Sequence, residues 1–272
     1  PSLNLKYNLN DKNSLRLGAS KTYTLPQAKE ISPYRYVGVN FNSQGNPNLK
    51  PSDHYNLDLK WDFNPTPTEL ISLTAFYKLI KNPISRIEVA SAGGYLSYEN
   101  IADKATVAGV EVEIRKNLFV RPVSNAAHGM NKLSLGLNGS YIYTNAKMPL
   151  ATVTTGSQLE GAAPWIVNFD LSHNFTKGER SFVNTLVLNY VSDKIYTIGT
   201  QGYQDMMEQG VLTLDFVSQA KLNKHLSFNL KARNLLNPSY KLSRKANENG
   251  EKVILNDYKK GINISLGVSC TF

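Results

Sequence analysis

An alternation of apolar and polar residues with a period of two runs along this chain from end to end, and nothing comparable occurs at helical spacing. In the last segment Ile262, Ile264, Leu266, Val268, Cys270 and Phe272 share one face, and Gly261, Asn263, Ser265, Gly267, Ser269 and Thr271 share the other. Successive side chains of a strand point to opposite faces, so this segment makes a strand with one apolar side and one small, polar side. The same partition sets Tyr55, Leu57, Leu59, Trp61 and Phe63 against Asn56, Asp58, Lys60 and Asp62. It sets Val110, Val112 and Ile114 against Glu111, Glu113 and Arg115.

About eleven such strands begin near residues 2, 13, 54, 68, 105, 131, 164, 181, 210, 225 and 259. Each is long enough for the roughly nine to eleven residues that a tilted membrane strand needs, whereas strands of soluble sandwiches average about five or six. No run approaches the roughly 18 apolar residues of a spanning helix, which excludes a helical membrane protein. A single cysteine, Cys270, excludes a disulfide framework and zinc sites built on paired cysteines. The mean hydropathy of -0.32 fits a barrel, because only every second residue of a membrane strand has to be apolar.

Short links at Asn10-Asp11-Lys12, Asn64-Pro65-Thr66-Pro67, Thr176-Lys177-Gly178-Glu179 and Asn223-Lys224 take turns with long segments at about 25–53, 81–104, 145–163, 194–209 and 236–258. The link from Val120 to Met130 is longer than the other turns. Tight turns at one end of a sheet and long loops at the other are the plan of outer-membrane barrels. Aromatics sit where such strands cross the membrane boundaries: Trp61, Phe63, Phe119, Phe175 and Phe272 at the turn end, Tyr77, Tyr141, Tyr143 and Tyr190 toward the loops. The expected fold is therefore all-β, an antiparallel transmembrane β-barrel. Single-chain bacterial barrels have an even number of strands, so residues 1–272 are expected to be the C-terminal portion of one larger barrel, with earlier strands before Pro1.

Several local motifs resemble TonB-dependent receptors. Ser14 to Tyr23, followed by Gly45-Asn46-Pro47-Asn48-Leu49-Lys50-Pro51-Ser52, is similar to a strand leading into a loop that ends in "NPxLKPE", with Ser52 and Asp53 where the family often has glutamate. Lys81-Asn82-Pro83-Ile84 looks like the exit of the next strand, and Asn100, Ala108, Gly109, Val110, Glu111 and Glu113 fit "N...A...GVEVE". Asn234-Leu235-Leu236-Asn237-Pro238-Ser239-Tyr240 is similar to "NLFDxxY", and with Tyr258-Lys259-Lys260-Gly261 it looks most like receptors of the Bacteroidetes group. The resemblance implies an active uptake receptor, not an enzyme, with a plugged barrel of about 22 strands, of which this chain is half. It implies no cofactor. It implies as partners an N-terminal plug and the TonB complex, both reached through parts outside this chain, the barrel-assembly machinery, outer-membrane lipid and lipopolysaccharide, and a surface lipoprotein.

Substrate contacts are expected from the loops: Tyr34, Arg35, Tyr36, Asn42, Tyr95, Tyr98 and Tyr203, a set that suits metal chelates, glycans or peptides equally. The inward charges Asp58, Asp62, Glu111, Glu113, Arg115, Lys231 and Arg233 are expected to pair across a wet lumen. Ile262, Ile264, Leu266, Val268 and Phe272 resemble the signal read by the assembly machinery. His54, His128, His173 and His225 stand singly, with no metal or catalytic spacing. The net charge of +9 comes with no basic helix or RNA-binding signature, so nucleic acid is not an expected partner. Two other classes stay open: a barrel enzyme of the phospholipase or protease type, and an adhesin or structural barrel.

Overall fold

In the computed structural model, which describes residues 1–89, 94–123, 129–148, 158–246 and 250–272, the alternating segments pair into one antiparallel sheet of eleven strands. These are β1 (Ser2–Asn10), β2 (Asn13–Thr24), β3 (Ser52–Phe63), β4 (Leu70–Lys81), β5 (Lys104–Pro122), β6 (Met130–Ala146), β7 (Trp165–Lys177), β8 (Arg180–Val191), β9 (Val211–Lys221), β10 (Leu226–Arg233) and β11 (Asn263–Cys270). Their order in the sheet is their order in the chain, and β1 and β11 are each paired on one side only, so the sheet is open. Among the described residues no helix is long and apolar enough to cross a membrane. His128 and parts of the 120–130 and 145–163 connections lie outside the described residues.

Register carries the two-faced pattern across the sheet. Leu5, Leu17, Leu59, Ala75, Val110, Tyr141 and Trp165 are successive cross-strand partners on seven strands. The neighbouring row on the opposite face is Asn4, Gly18, Asp58, Phe76 and Gly109. A slip of one residue would put the polar row on the apolar side, so the burial preference of that side fixes the register. Leu57 and Leu59 are 50% and 51% exposed, and the apolar face around them is continuous, which only a lipid environment makes tolerable.

The short turns follow from side chains that imitate a backbone turn. The Asn10 Oδ1 accepts the N–H groups of Lys12 and Asn13, each at 2.9 Å, and the Asn223 Oδ1 accepts those of His225 and Leu226 at the same distance.

The long connections hold more order than the sequence discloses. Arg35–Tyr36, Ser43–Gln44, Tyr95–Asn100 and Ile84–Val89 form one small sheet; Lys194–Thr197, Met206–Glu208, Ser239–Lys245 and Lys252–Lys259 form another. The last membrane strand accordingly starts at Asn263 rather than near 259, and Ile262 precedes it. Lys252–Lys259 belongs to the loop sheet, and Gly261, at φ 80°, turns the chain between the two. The apolar core also sits at the loop end, where Ile87, Ile101, Ala105, Ala146, Leu159, Ile195 and Ile198 pack together.

Candidate functional site: a cleft among the loops

The family-like motifs converge in space. Asn46 donates from Nδ2 to the Tyr98 carbonyl at 3.0 Å and accepts the Asn48 N–H at 3.0 Å, which closes the turn over Pro47. The Lys50 N–H donates to Asn100 Oδ1 at 2.8 Å, and Asn100 Nδ2 donates to the carbonyls of Lys50 and Asn82 at 3.0 and 2.9 Å. Ser52 Oγ closes the clasp on the Asn82 carbonyl at 2.7 Å. Three sequence-distant segments are thereby fixed to one another through backbone groups that a loop would otherwise leave without partners. A similar lock ties the end of β10 to β9 and to the start of β11: the Asn234 N–H donates to Asp215 on β9, Asn234 Nδ2 to the Gly261 carbonyl, and the Gly261 N–H to Asn237 Oδ1.

Held by these locks, the loops enclose a cleft of about 730 Å3. Lys29, Phe41, Arg86, Tyr98, Tyr196, Tyr240, Lys241 and Tyr258 line it. Arg86 stacks 4.4 Å from the Tyr196 ring centroid and pairs with Glu160 at 3.4 Å. Tyr240 and Tyr258 stack at 5.5 Å, with the Lys260 ammonium 3.8 Å from the Tyr240 centroid. Glu208, the one carboxylate on the lining among the described residues, is paired with Lys194 at 3.3 Å, and Lys241 is paired with Asp257 at 3.8 Å. Burial raises the Tyr98 phenol above its ordinary pKa, against the opposing pull of Arg86, so it stays a neutral hydrogen-bonding group. Cations on aromatic walls suit a flat or anionic ligand.

Of the expected contact residues, only Tyr98 lines this cleft. Asn42 and Tyr95 line a smaller neighbouring one, where the Asn42 carbonyl accepts the Leu96 N–H and Arg35 sits 5.5 Å from the Tyr95 centroid. Tyr34 is 75% exposed and Tyr36 has Lys29 over its ring. Tyr203 lies under Arg244, which pairs with Glu88. Sequence reading missed Arg86, Tyr196, Tyr240 and Tyr258. Nothing in the periodicity singles out Arg86 or Tyr196; Tyr240 and Tyr258 fall inside the family-like segments Asn234 to Tyr240 and Tyr258 to Gly261, whose sequence alone assigns them no ligand contact.

The family profile described as "TonB dependent receptor-like, beta-barrel" matches residues 1–235. The chain belongs to the TonB-dependent receptors. A curated relative, the "Iron-regulated outer membrane virulence protein" of Vibrio cholerae, is 25% identical over 219 residues, 77% of this chain and 31% of the relative. The chain thus spans about a third of the length of the curated relatives it matches. Among solved structures, a variant of the ferric enterobactin receptor of Pseudomonas aeruginosa, in complex with enterobactin, covers the whole chain at TM-score 0.63 and 17% identity, over 40% of its own length. The ferric yersiniabactin uptake receptor of Yersinia pestis does so at TM-score 0.61 and 15% identity, over 37% of its length. At such identities the likeness is one of fold. The receptor is a β-barrel protein of the Gram-negative outer membrane, where short turns are periplasmic and long loops extracellular.

The receptor's polar face carries the charges expected to face the lumen. Asp62, 5% exposed, pairs with Arg16 at 3.4 Å and Lys60 at 3.5 Å, neither of them among the expected set. Arg115 pairs with Glu113 at 2.7 Å. Asp58 lies beside Gly18, Glu111 stands opposite Thr74 and Ser140, and Lys231 and Arg233 are exposed on β10. Between β6 and β8 runs a ladder that alternation could not reveal: Asn189 donates to Asn168, and Asn168 to Asn138. Ile264, Leu266 and Val268 lie on the apolar face of β11 with Phe272 just beyond the strand, and the His225 ring bonds the Thr271 carbonyl at 2.7 Å.

Proposed function

We propose that the full protein is an outer-membrane uptake receptor driven through the TonB complex, and that its loop cleft takes an anionic metal chelate. The observation that carries this reading is the cleft itself, whose lining sets Lys29, Arg86 and Lys241 among aromatic rings against one carboxylate, Glu208, held by Lys194, while Arg86 and Lys241 also pair with Glu160 and Asp257, which are not on the lining. The named neighbours include receptors for ferric chelates, which supports the same substrate class. In this reading the chain supplies eleven consecutive strands, forming the C-terminal portion of the barrel, and a plug from elsewhere in the protein meets the charged polar face. The loop motifs around Tyr240 and Tyr258 support a Bacteroidetes-type receptor. The apolar face of β11 with Phe272 serves recognition by the assembly machinery, and a surface lipoprotein is a further partner from the same resemblance.

Two measurements on the full-length receptor test it. Equilibrium binding should favour ferric enterobactin, an anionic probe, over an uncharged ferric chelate, and Lys29→Ala with Lys241→Ala should weaken only the former, by about tenfold. Equal effects on both probes would remove the charge argument. Uptake of the labelled chelate should cease in cells lacking TonB, and TonB-independent uptake would overturn the transport reading.

A further inference from the structure

One cation of the cleft is shared with a carboxylate behind the cleft wall. Arg86 is on the lining, yet its guanidinium lies 3.4 Å from Glu160, which is off the lining and whose side chain is 19% exposed. The Arg86 backbone is pinned on both sides: its N–H donates to Glu160 Oε2, and its carbonyl accepts the Ile198 N–H at 3.0 Å. The side chain is therefore the part that can turn, and the Tyr196 ring, 4.4 Å away, gives it a flat face to slide over between Glu160 and the open cleft. Among the described residues Glu160 is faced by Arg86 from Ile84–Val89, by Tyr98 from Tyr95–Asn100, and by Glu30 from the loop after β2, a second negative charge that disfavours its ionisation. The Lys194–Thr197 strand meets this segment through a backbone bond from Gly161 to Ile195, and its Lys194 is held by Glu208. Lys241 and Asp257 differ from this pair: at 38% and 44% exposed they meet in water, where an ion pair contributes little and yields readily.

We propose, resting on the reading of the cleft as a site for an anionic chelate, that Glu160 is a built-in competitor for the ligand's negative charge, so that capture of an anion by Arg86 is coupled to uptake of one proton by Glu160. In the empty cleft the ionised Glu160 is the counter-ion of Arg86. When an anionic group of the ligand takes the guanidinium, the carboxylate left behind is buried beside Glu30 without its cation, and a proton from solvent removes its charge. The one covalent bond formed is O–H on Glu160, and none in the ligand breaks. The neutral carboxyl still has a carbonyl oxygen for the Arg86 N–H, so the loops stay in place while the guanidinium changes partner. Burial already holds the Glu160 pKa above its ordinary value, so the exchange takes place above the usual carboxylate range. The receptor consequently binds an anion more tightly as the medium acidifies, whereas an uncharged ligand has no such dependence.

The test is calorimetric titration of the full-length receptor with ferric enterobactin from about pH 5 to about pH 8, in two buffers of different ionisation enthalpy so that the protons taken up per ligand are counted. Uptake should rise to a maximum of at most one proton, and affinity should fall by up to roughly tenfold per pH unit where uptake is greatest. Glu160→Gln, which keeps an acceptor for the Arg86 N–H, should lose that uptake and hold its affinity constant over the range. At about pH 8 it should bind about tenfold more tightly than the wild-type receptor. Its titration also gives the probe's own proton change, which is subtracted. Equal proton uptake in the two receptors, or equal affinity at the alkaline end, would overturn the proposal; if Lys29→Ala with Lys241→Ala still weakens binding, the cleft reading stands without it. Binding that neither those lysines nor Glu160 affects would remove both.

Discussion

Glu160 holds its proton to a higher pH than an ordinary glutamate because burial among the loops disfavours its charge, an effect that the N–H and guanidinium of Arg86 oppose. The folded loops therefore keep a proton that the unfolded chain releases near 4.5. This contribution is fully present below that value and is lost as the pH rises through the folded pKa. Thermal unfolding of the receptor from pH 4 upward should show that loss, and Glu160→Gln should flatten the dependence. Arg86→Ala should cost about 1–3 kcal/mol, since it strips Tyr196 and Glu160 of their shared partner. A second residue-scale constraint lies in the wall. A Cβ at Gly109 would strike the Tyr141 carbonyl oxygen and the Phe76 ring, which folds across it on the polar face. Gly109→Ala should destabilise the receptor by about 1–3 kcal/mol in detergent unfolding, and a neutral result would show that Phe76 moves aside freely.

Among the elements, the membrane strands were legible and the loop sheets were not. Strand positions follow from a period of two that lipid enforces along every strand, so each begins within a few residues of where alternation places it. The loop strands are short, lack that pressure, and pair with partners far away in sequence. Ile198, for example, bridges Ile87 across two loops. Their one sequence signal was the asparagines of the motifs: Asn46 and Asn100 bond through their side-chain amides, and Asn82, whose carbonyl accepts, sits at φ 49°, a left-handed conformation that asparagine tolerates. Ile198, 1% exposed, anchors the loop core. Ile198→Ala should cost about 2–5 kcal/mol locally. Limited proteolysis should then cut the loops while the membrane strands keep their resistance, and loss of both together would mean that loops and barrel unfold as one unit.

For the whole molecule, the decisive fact is that an open sheet cannot survive in hydrocarbon. The outer edges of β1 and β11 leave their backbone groups unpaired, and each such group costs several kcal/mol in lipid. The 272-residue chain alone should give no heat-modifiable, protease-resistant band in liposomes, whereas the full receptor should. A resistant band from the fragment would mean that the two edges find each other or a second copy.

Local residue pattern was enough to settle the class of fold, the strands, their two faces and which end carries the loops. Each of these is a local consequence of one side of a strand meeting lipid and the other meeting water. It did not determine the candidate site. Arg86, Tyr98, Tyr196, Tyr240 and Tyr258 come from three loops and become neighbours only when two small sheets close over the barrel's mouth.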